Sequence, residues 1–197
     1  MDDALDPRAT AVLDFWFGRA GEPDHLRPRE QWFRKDAAFD ARIAQRFGTL
    51  IDAALRGELG GWAARPLSAL AQIVVLDQFT RNTRRGSAAM FAGDAQALAA
   101  AKAMVDSGDD RALPGVMRQF VYLPFEHAED LAQQRTSMRL FAQLEADEPA
   151  LAGLLEWARR HQQIIERFGR FPHRNAALGR TSTAEEAEFL TQPGSGF

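Results

Sequence analysis

Apolar residues recur at helical spacing in one segment of this chain after another. The residues between them are mostly Ala, Leu, Arg, Glu and Gln, with few Val and Ile. That combination favours helix over strand throughout. Asp6-Pro7 is a cap with proline at the first helical position, and Gly18 is a stop; Val12, Leu13, Trp16 and Phe17 lie between. A second helix is expected from near Asp36 to Gly57, with Phe39, Ile43, Phe47, Leu50 and Ile51 on its buried stripe. A third begins at Pro66, and a fourth runs from Asp94 to Gly108. Pro114 is expected to open a fifth, Pro124 a sixth lined by Leu131, Met138, Phe141 and Leu144, and Pro149 a seventh. Ser182-Thr183-Ala184-Glu185 reads as a capping box before a short last helix ending at Leu190. Two connections are long, Arg19 to Arg29 and Gly169 to Arg180, and the tail from Gln192 to Phe197 is expected to be loose.

The expected fold is all-α, a helical bundle or short α-solenoid in one domain over residues 1–197. Alanine-rich segments ending in Gly57 and Gly108 hint at stacked helix pairs without giving a clean repeat. A length of 197 residues suits one sizeable core. The net charge of −3 argues against a nucleic-acid partner. With no cysteine there is no thiol nucleophile, disulfide or zinc–thiolate site. The acidic start, Met1-Asp2-Asp3, does not resemble a secretory signal, and runs such as Ile73-Val74-Val75-Leu76 are too short to span a bilayer. The expectation is a cytoplasmic protein with no membrane association.

Charged residues on apolar stripes carry the functional reading. Asp77 falls seven residues after Leu70 and three after Val74, on the buried face and near an expected helix end that disfavours a carboxylate. It needs a cation nearby, and Arg81 or Arg84 can fold back to supply one. In Tyr122-Leu123-Pro124-Phe125-Glu126-His127-Ala128-Glu129-Asp130, His127 heads an apolar stripe, and the acids beside it are placed in a first helical turn. His161 lies seven residues after Leu154 and four before Ile165, again on a buried stripe. From Arg159 to Arg180 there are six arginines against one acid, Glu166, and a segment with Arg170, His173, Arg174 and Arg180 can grip an anion or pair with Asp77, Glu126 and Glu129. No phosphate loop, His-Glu-x-x-His, Gly-x-Ser-x-Gly or paired Glu-x-x-His signature is present. No metal and no cofactor are therefore expected, although His127, His161 and His173 with Glu126 or Glu129 are possible ligands.

These segments resemble a known family. Leu13-Asp14-Phe15-Trp16-Phe17-Gly18, Leu76-Asp77-Gln78-Phe79-Thr80-Arg81-Asn82, the segment from Tyr122 to Leu131, the one from Arg167 to Asn175, and Leu178-Gly179-Arg180-Thr181-Ser182-Thr183 look like family 924 of the domains of unknown function. The resemblance runs from Val12 to Leu190. It implies a mostly bacterial protein with a tetratricopeptide-like fold and no established activity. Thr80 stands where the family usually has Pro, and Ala128 where it usually has Ser.

Two classes of function follow. The first is a small-molecule site built from Asp77, Arg81, Tyr122, Glu126, His127, His161, Arg170, His173 and Arg174. It would take a small anionic ligand, with Glu126, His127 and His173 as candidates for acid–base catalysis. The second is a helical scaffold for a protein partner or a second copy, in which the same groups only lock the fold. Both expect the segments to converge, with Asp77 in salt-bridge contact with Arg81, Arg170 or Arg174, and with residues 170–180 ordered.

Overall fold

The computed structural model describes residues 4–196, so Met1 to Asp3 of the acidic start, and Phe197, lie outside it. Among the described residues every regular element is helical, and no helix is long and apolar enough to cross a membrane. Asp6 caps α1 (Pro7–Phe17) by accepting from the Arg8 amide, and Gly18 ends it. Asp36 caps α2 (Ala37–Leu55) in the same way. Helix α3 (Pro66–Ile73) runs without a break into a π-helical stretch, Val74–Phe79, and then α4 (Thr80–Thr83). Helices α5 (Asp94–Ser107), α6 (Gly115–Glu126), α7 (Leu131–Asp147), α8 (Leu154–Phe168) and α9 (Ala184–Leu190) follow.

Each of α5 to α8 packs on the next, while α1 and α5 lie on α3, and α2 lies on the π stretch. The core is aromatic where these elements meet. Trp16 stacks on Trp32 and Phe39 and meets Phe79 and Phe120 edge-on. The Trp32 indole donates to the Trp16 carbonyl at 3.1 Å, so the connection after α1 is tied to the core. All six residues of the π stretch, Val74 to Phe79, are buried, as expected of a helix enclosed on every side.

Four expectations need correction. Pro124 does not open a helix. It lies in the last turn of α6, where the backbone hydrogen bond it removes falls close to the helix end. The next helix starts at Leu131, after Asp130 has capped it by accepting from the Gln133 amide. Glu126 and His127 therefore sit at a C-terminus, not in a first turn. Pro149 opens only a short 3-10 turn, Pro149–Leu151, and α8 begins after Gly153. The capping box is one residue later than expected, with Thr183 as cap and Glu186 as its partner. Asp77 also differs in context, since the helix continues past it to Thr83. The tail turns back, with Ser195 donating to the Leu190 and Gln192 carbonyls.

Gly93, just before α5, is needed for this packing. A Cβ there would lie 2.2 Å from the Leu76 carbonyl oxygen in the π stretch. The obstacle is backbone on both sides, so it cannot rotate away. Gly93→Ala should destabilise the protein by about 1–3 kcal/mol, read as a lower urea midpoint with an unchanged slope; an unchanged midpoint would show that α5 does not dock here.

Candidate functional site

The π stretch delivers Asp77 to a point enclosed by α5, α6 and the strap formed by residues 169–183. Asp77 is fully buried, and it is satisfied by three side chains. His127 Nδ1 lies 2.7 Å from Oδ1, Gln78 donates to Oδ2 at 2.6 Å, and Arg81 Nε approaches Oδ1 at 3.4 Å. Burial pushes this carboxyl up, but the hydrogen bond from His127, the Arg81 charge and the hydrogen bond from Gln78 outweigh it and hold Asp77 ionised. An ionised carboxylate can only accept, so the proton of the pair sits on His127 Nδ1. The lone pair is then on Nε2, which has no protein partner among the described residues.

His127 itself titrates below the ordinary histidine range. Burial and the adjacent Arg81 disfavour its cation more than Asp77 favours it. The pair thus rests as carboxylate and neutral imidazole. His127 retains 16% side-chain exposure, against 1% for Asp77, so the imidazole is the outer member of the pair.

A second carboxylate completes the charge balance. Asp94, the first residue of α5, accepts from Arg81 at 2.8 Å and from Arg174 at 3.3 Å. Arg174 also donates to the His127 carbonyl at 2.9 Å and is clamped between the rings of Phe91 and Phe171. Burial and the neighbouring Arg81 lower Arg174 to about 10, which leaves it cationic at neutral pH. Two ionised aspartates thus face two arginines.

Beside this quartet lie groups held neutral. Glu126 ends α6, where the helix dipole offers a carboxylate nothing. Burial and the Asp77 charge raise it to about 8. Its Oε1 is 3.2 Å from His161 Nδ1, which also meets the Trp157 carbonyl at 2.9 Å; its Oε2 has no hydrogen-bond partner. Burial lowers His161 to about 3 and His173 to about 4. The His127 and His161 rings are 6.2 Å apart. Among the described residues no three histidine or acidic side chains are arranged to hold a metal ion.

Seven of the nine residues singled out from sequence are therefore in or beside one cluster: Asp77, Arg81, Glu126, His127, His161, His173 and Arg174. Two are elsewhere. Tyr122 points away and donates to the buried Asp110 at 2.5 Å, while Arg118 donates to its hydroxyl. Arg170 forks onto Glu186 at 2.6 and 2.7 Å and reaches the Thr181 carbonyl, so it fastens α9 to the strap. Sequence reasoning missed Asp94, Gln78 and Phe91. An acid opening a helix looks like ordinary dipole matching, and the contacts that distinguish Asp94 come from elements 13 and 80 residues away in sequence. The expected ion pair between Asp77 and Arg81 is present, and residues 170–180 are ordered by hydrogen bonds throughout.

The sequence matches a bacterial family of unknown function, DUF924, over residues 12–194. The chain belongs to the DUF924 family. A solved protein of unknown function from Agrobacterium tumefaciens is 43% identical and superposes with a TM-score of 0.79, covering 92% of this chain and 96% of that one. No curated protein matches.

In this DUF924 protein the cluster sets a pH optimum of stability. Folded His161 and His173 refuse protons that unfolded histidines take up near 6.5, so stability is lost as pH falls below that value. Glu126 acts in the opposite sense. Folded, it keeps its proton to about 8, whereas unfolded it loses it near 4.5, so stability falls as pH rises through this range. From about pH 7 to 8, where unfolded histidines are largely neutral, Glu126 dominates this balance. Glu126→Gln should flatten the decline there, a slope of at most about 1.4 kcal/mol per pH unit. Urea unfolding across that window checks this, and an equal decline in wild type and variant would contradict it.

Proposed function

We infer that the cluster is an acid–base site for a small ligand bearing an anionic group. The observation that carries this reading is the His127–Asp77 pair. Asp77 holds Nδ1 and thereby leaves the lone pair on an unbonded Nε2, as the carboxylate does in any histidine dyad that works as a general base. In this reading Nε2 takes a proton from the ligand or from a water, and protonated Glu126 supplies one to the leaving side. Arg81 and Arg174 bind the anionic group in competition with Asp94, which already bridges them. Positioned proton transfer of this kind is worth roughly 10²–10⁴ in rate, and hydrolysis is the simplest reaction that uses it. The further histidines stay neutral near pH 7 and therefore do not oppose the proton that His127 gains.

A second reading has a specific observation behind it. The other arginines from Arg159 to Arg180 are also paired: Arg159 and Arg160 with Glu156, Arg167 with Glu185, Arg170 with Glu186, and Arg180 with Glu129. A network so balanced suits a tetratricopeptide-like scaffold in which the charges lock helices together and a protein partner binds elsewhere. The two readings differ in what an anion does. Arg174 is buried and bonded, so Arg174→Ala should cost about 1–3 kcal/mol under either, because Asp94 keeps Arg81.

The site reading requires more. Phosphate or a small carboxylate should raise the melting temperature of the wild type, by the equivalent of about 2.7 kcal/mol at a hundredfold excess over Kd, and should leave Arg174→Ala unshifted. Thermal unfolding with phosphate and a panel of small carboxylates makes the measurement. A wild type that no anion shifts would leave the scaffold reading.

A further inference from the structure

We propose that Glu129 is the positioning residue of this site, holding the strap closed over His127 so that a ligand reaches Nε2 only when Glu129 lets go. The purpose of the device rests on the acid–base reading, whereas its geometry does not. Glu129 follows His127 by two residues in the α6–α7 connection, so the tie and the base hang on the same piece of backbone.

Its carboxylate takes three hydrogen bonds from the strap. The Phe171 amide donates at 2.7 Å, and the Arg180 guanidinium donates at 2.6 and 2.9 Å to the two oxygens. Arg180 in turn donates to the Asn175 side chain and to the Phe171 carbonyl. The two ends of the segment from Phe171 to Arg180 are thus gathered on one carboxylate, and the residues looped between them include His173 and Arg174. Arg174 donates to the His127 carbonyl, so the strap is bonded to the residue that carries the base, whose side chain is 16% exposed. These bonds hold Glu129 below the usual carboxylate range despite partial burial.

The strap is built to move about this tie. Its buried apolar residues are Phe171 and Pro172, and Phe171 packs with Ile164 and Ile165 in a small cluster apart from the main core. Gly169 and Gly179, near its ends, adopt φ of 69° and 65°, and nothing lies within 4 Å of where a Cβ would stand. Neither glycine is packed against a neighbour that would oppose a change in its backbone. The tie itself is reachable from solvent, with Glu129 and Arg180 side chains each 23% exposed. Of the other two ionic contacts of the strap, Arg170 to Glu186 lies outside the loop closed by Glu129 and can keep α9 attached, while Arg174 to Asp94 lies inside it and parts as the strap lifts.

Carbethoxylation with diethyl pyrocarbonate tests this, because the reagent attacks neutral, accessible imidazole. His25, in the connection after α1, is the internal reference. The wild type is compared with Glu129→Gln and Arg180→Gln by mass spectrometry, together with hydrogen exchange of residues 170–180 and of α5. In Glu129→Gln the His127 rate relative to His25 should rise roughly tenfold, the factor equivalent to about 1.4 kcal/mol, with faster exchange in the strap and none in α5. Arg180→Gln leaves the Phe171 amide on Glu129 and should give a smaller rise in the same direction. If Glu129→Gln speeds exchange in α5 as well, it has loosened the whole fold and Arg180→Gln decides. Unchanged His127 rates and unchanged strap exchange would overturn the proposal. The acid–base reading fails separately, if neither phosphate nor any small carboxylate raises the melting temperature of the wild type.

Discussion

The structure turns on one buried charge. Asp77 sits in the middle of a helix, fully enclosed, and an isolated carboxylate there would neutralise rather than ionise. Its neighbours meet that requirement one after another. The π stretch turns Gln78 and Asp77 inward together, α6 ends so that His127 can reach Oδ1, and Arg81 folds back one turn. Arg81 then needs a second acid, which brings the start of α5 and Asp94 close, and Asp94 in turn receives Arg174 from the strap. Glu126 is protonated because it is buried, and the Asp77 charge adds to the effect. A network of this kind is weak evidence for stability, since apolar residues of similar volume often do as well. It does specify which elements meet.

Much of the fold could be read along the chain. The caps at Asp6 and Asp36 and the stop at Gly108 are where local chemistry places them, because a cap is decided by a few adjacent residues. Pro124 misled for the opposite reason. Proline near a helix end costs little, and only tertiary packing decides whether it opens the next helix or closes the last. The site was partly legible. Asp77, His127 and His161 stood out because each charge or ring fell on an apolar stripe. Arg81 followed from Asp77 by helical spacing. Tyr122 and Arg170 were drawn in by proximity in sequence, yet their partners Asp110 and Glu186 turn them elsewhere. Asp94 has no local signature at all.

What distinguishes this cluster from a plain structural lock is its asymmetry. Asp77 is saturated, while His127 is bonded on one nitrogen only, and Glu126 carries a buried oxygen without a partner. Buried polar atoms left unsatisfied are uncommon enough to need a reason, and here one belongs to the residue that precedes the imidazole with an unbonded Nε2. The strap adds a condition on access, since its ionic tie begins two residues from the base.

The central claim is that Asp77 fixes His127 as a neutral imidazole protonated on Nδ1, with Nε2 as the base. Nitrogen-15 NMR of the histidine side chains tests it most directly, because the protonated and bare ring nitrogens resonate far apart. In the wild type at neutral pH, His127 should show a protonated Nδ1 and a bare Nε2, and Asp77→Asn should abolish that preference. A wild-type His127 protonated on Nε2, or one whose tautomer is indifferent to Asp77→Asn, would contradict the account.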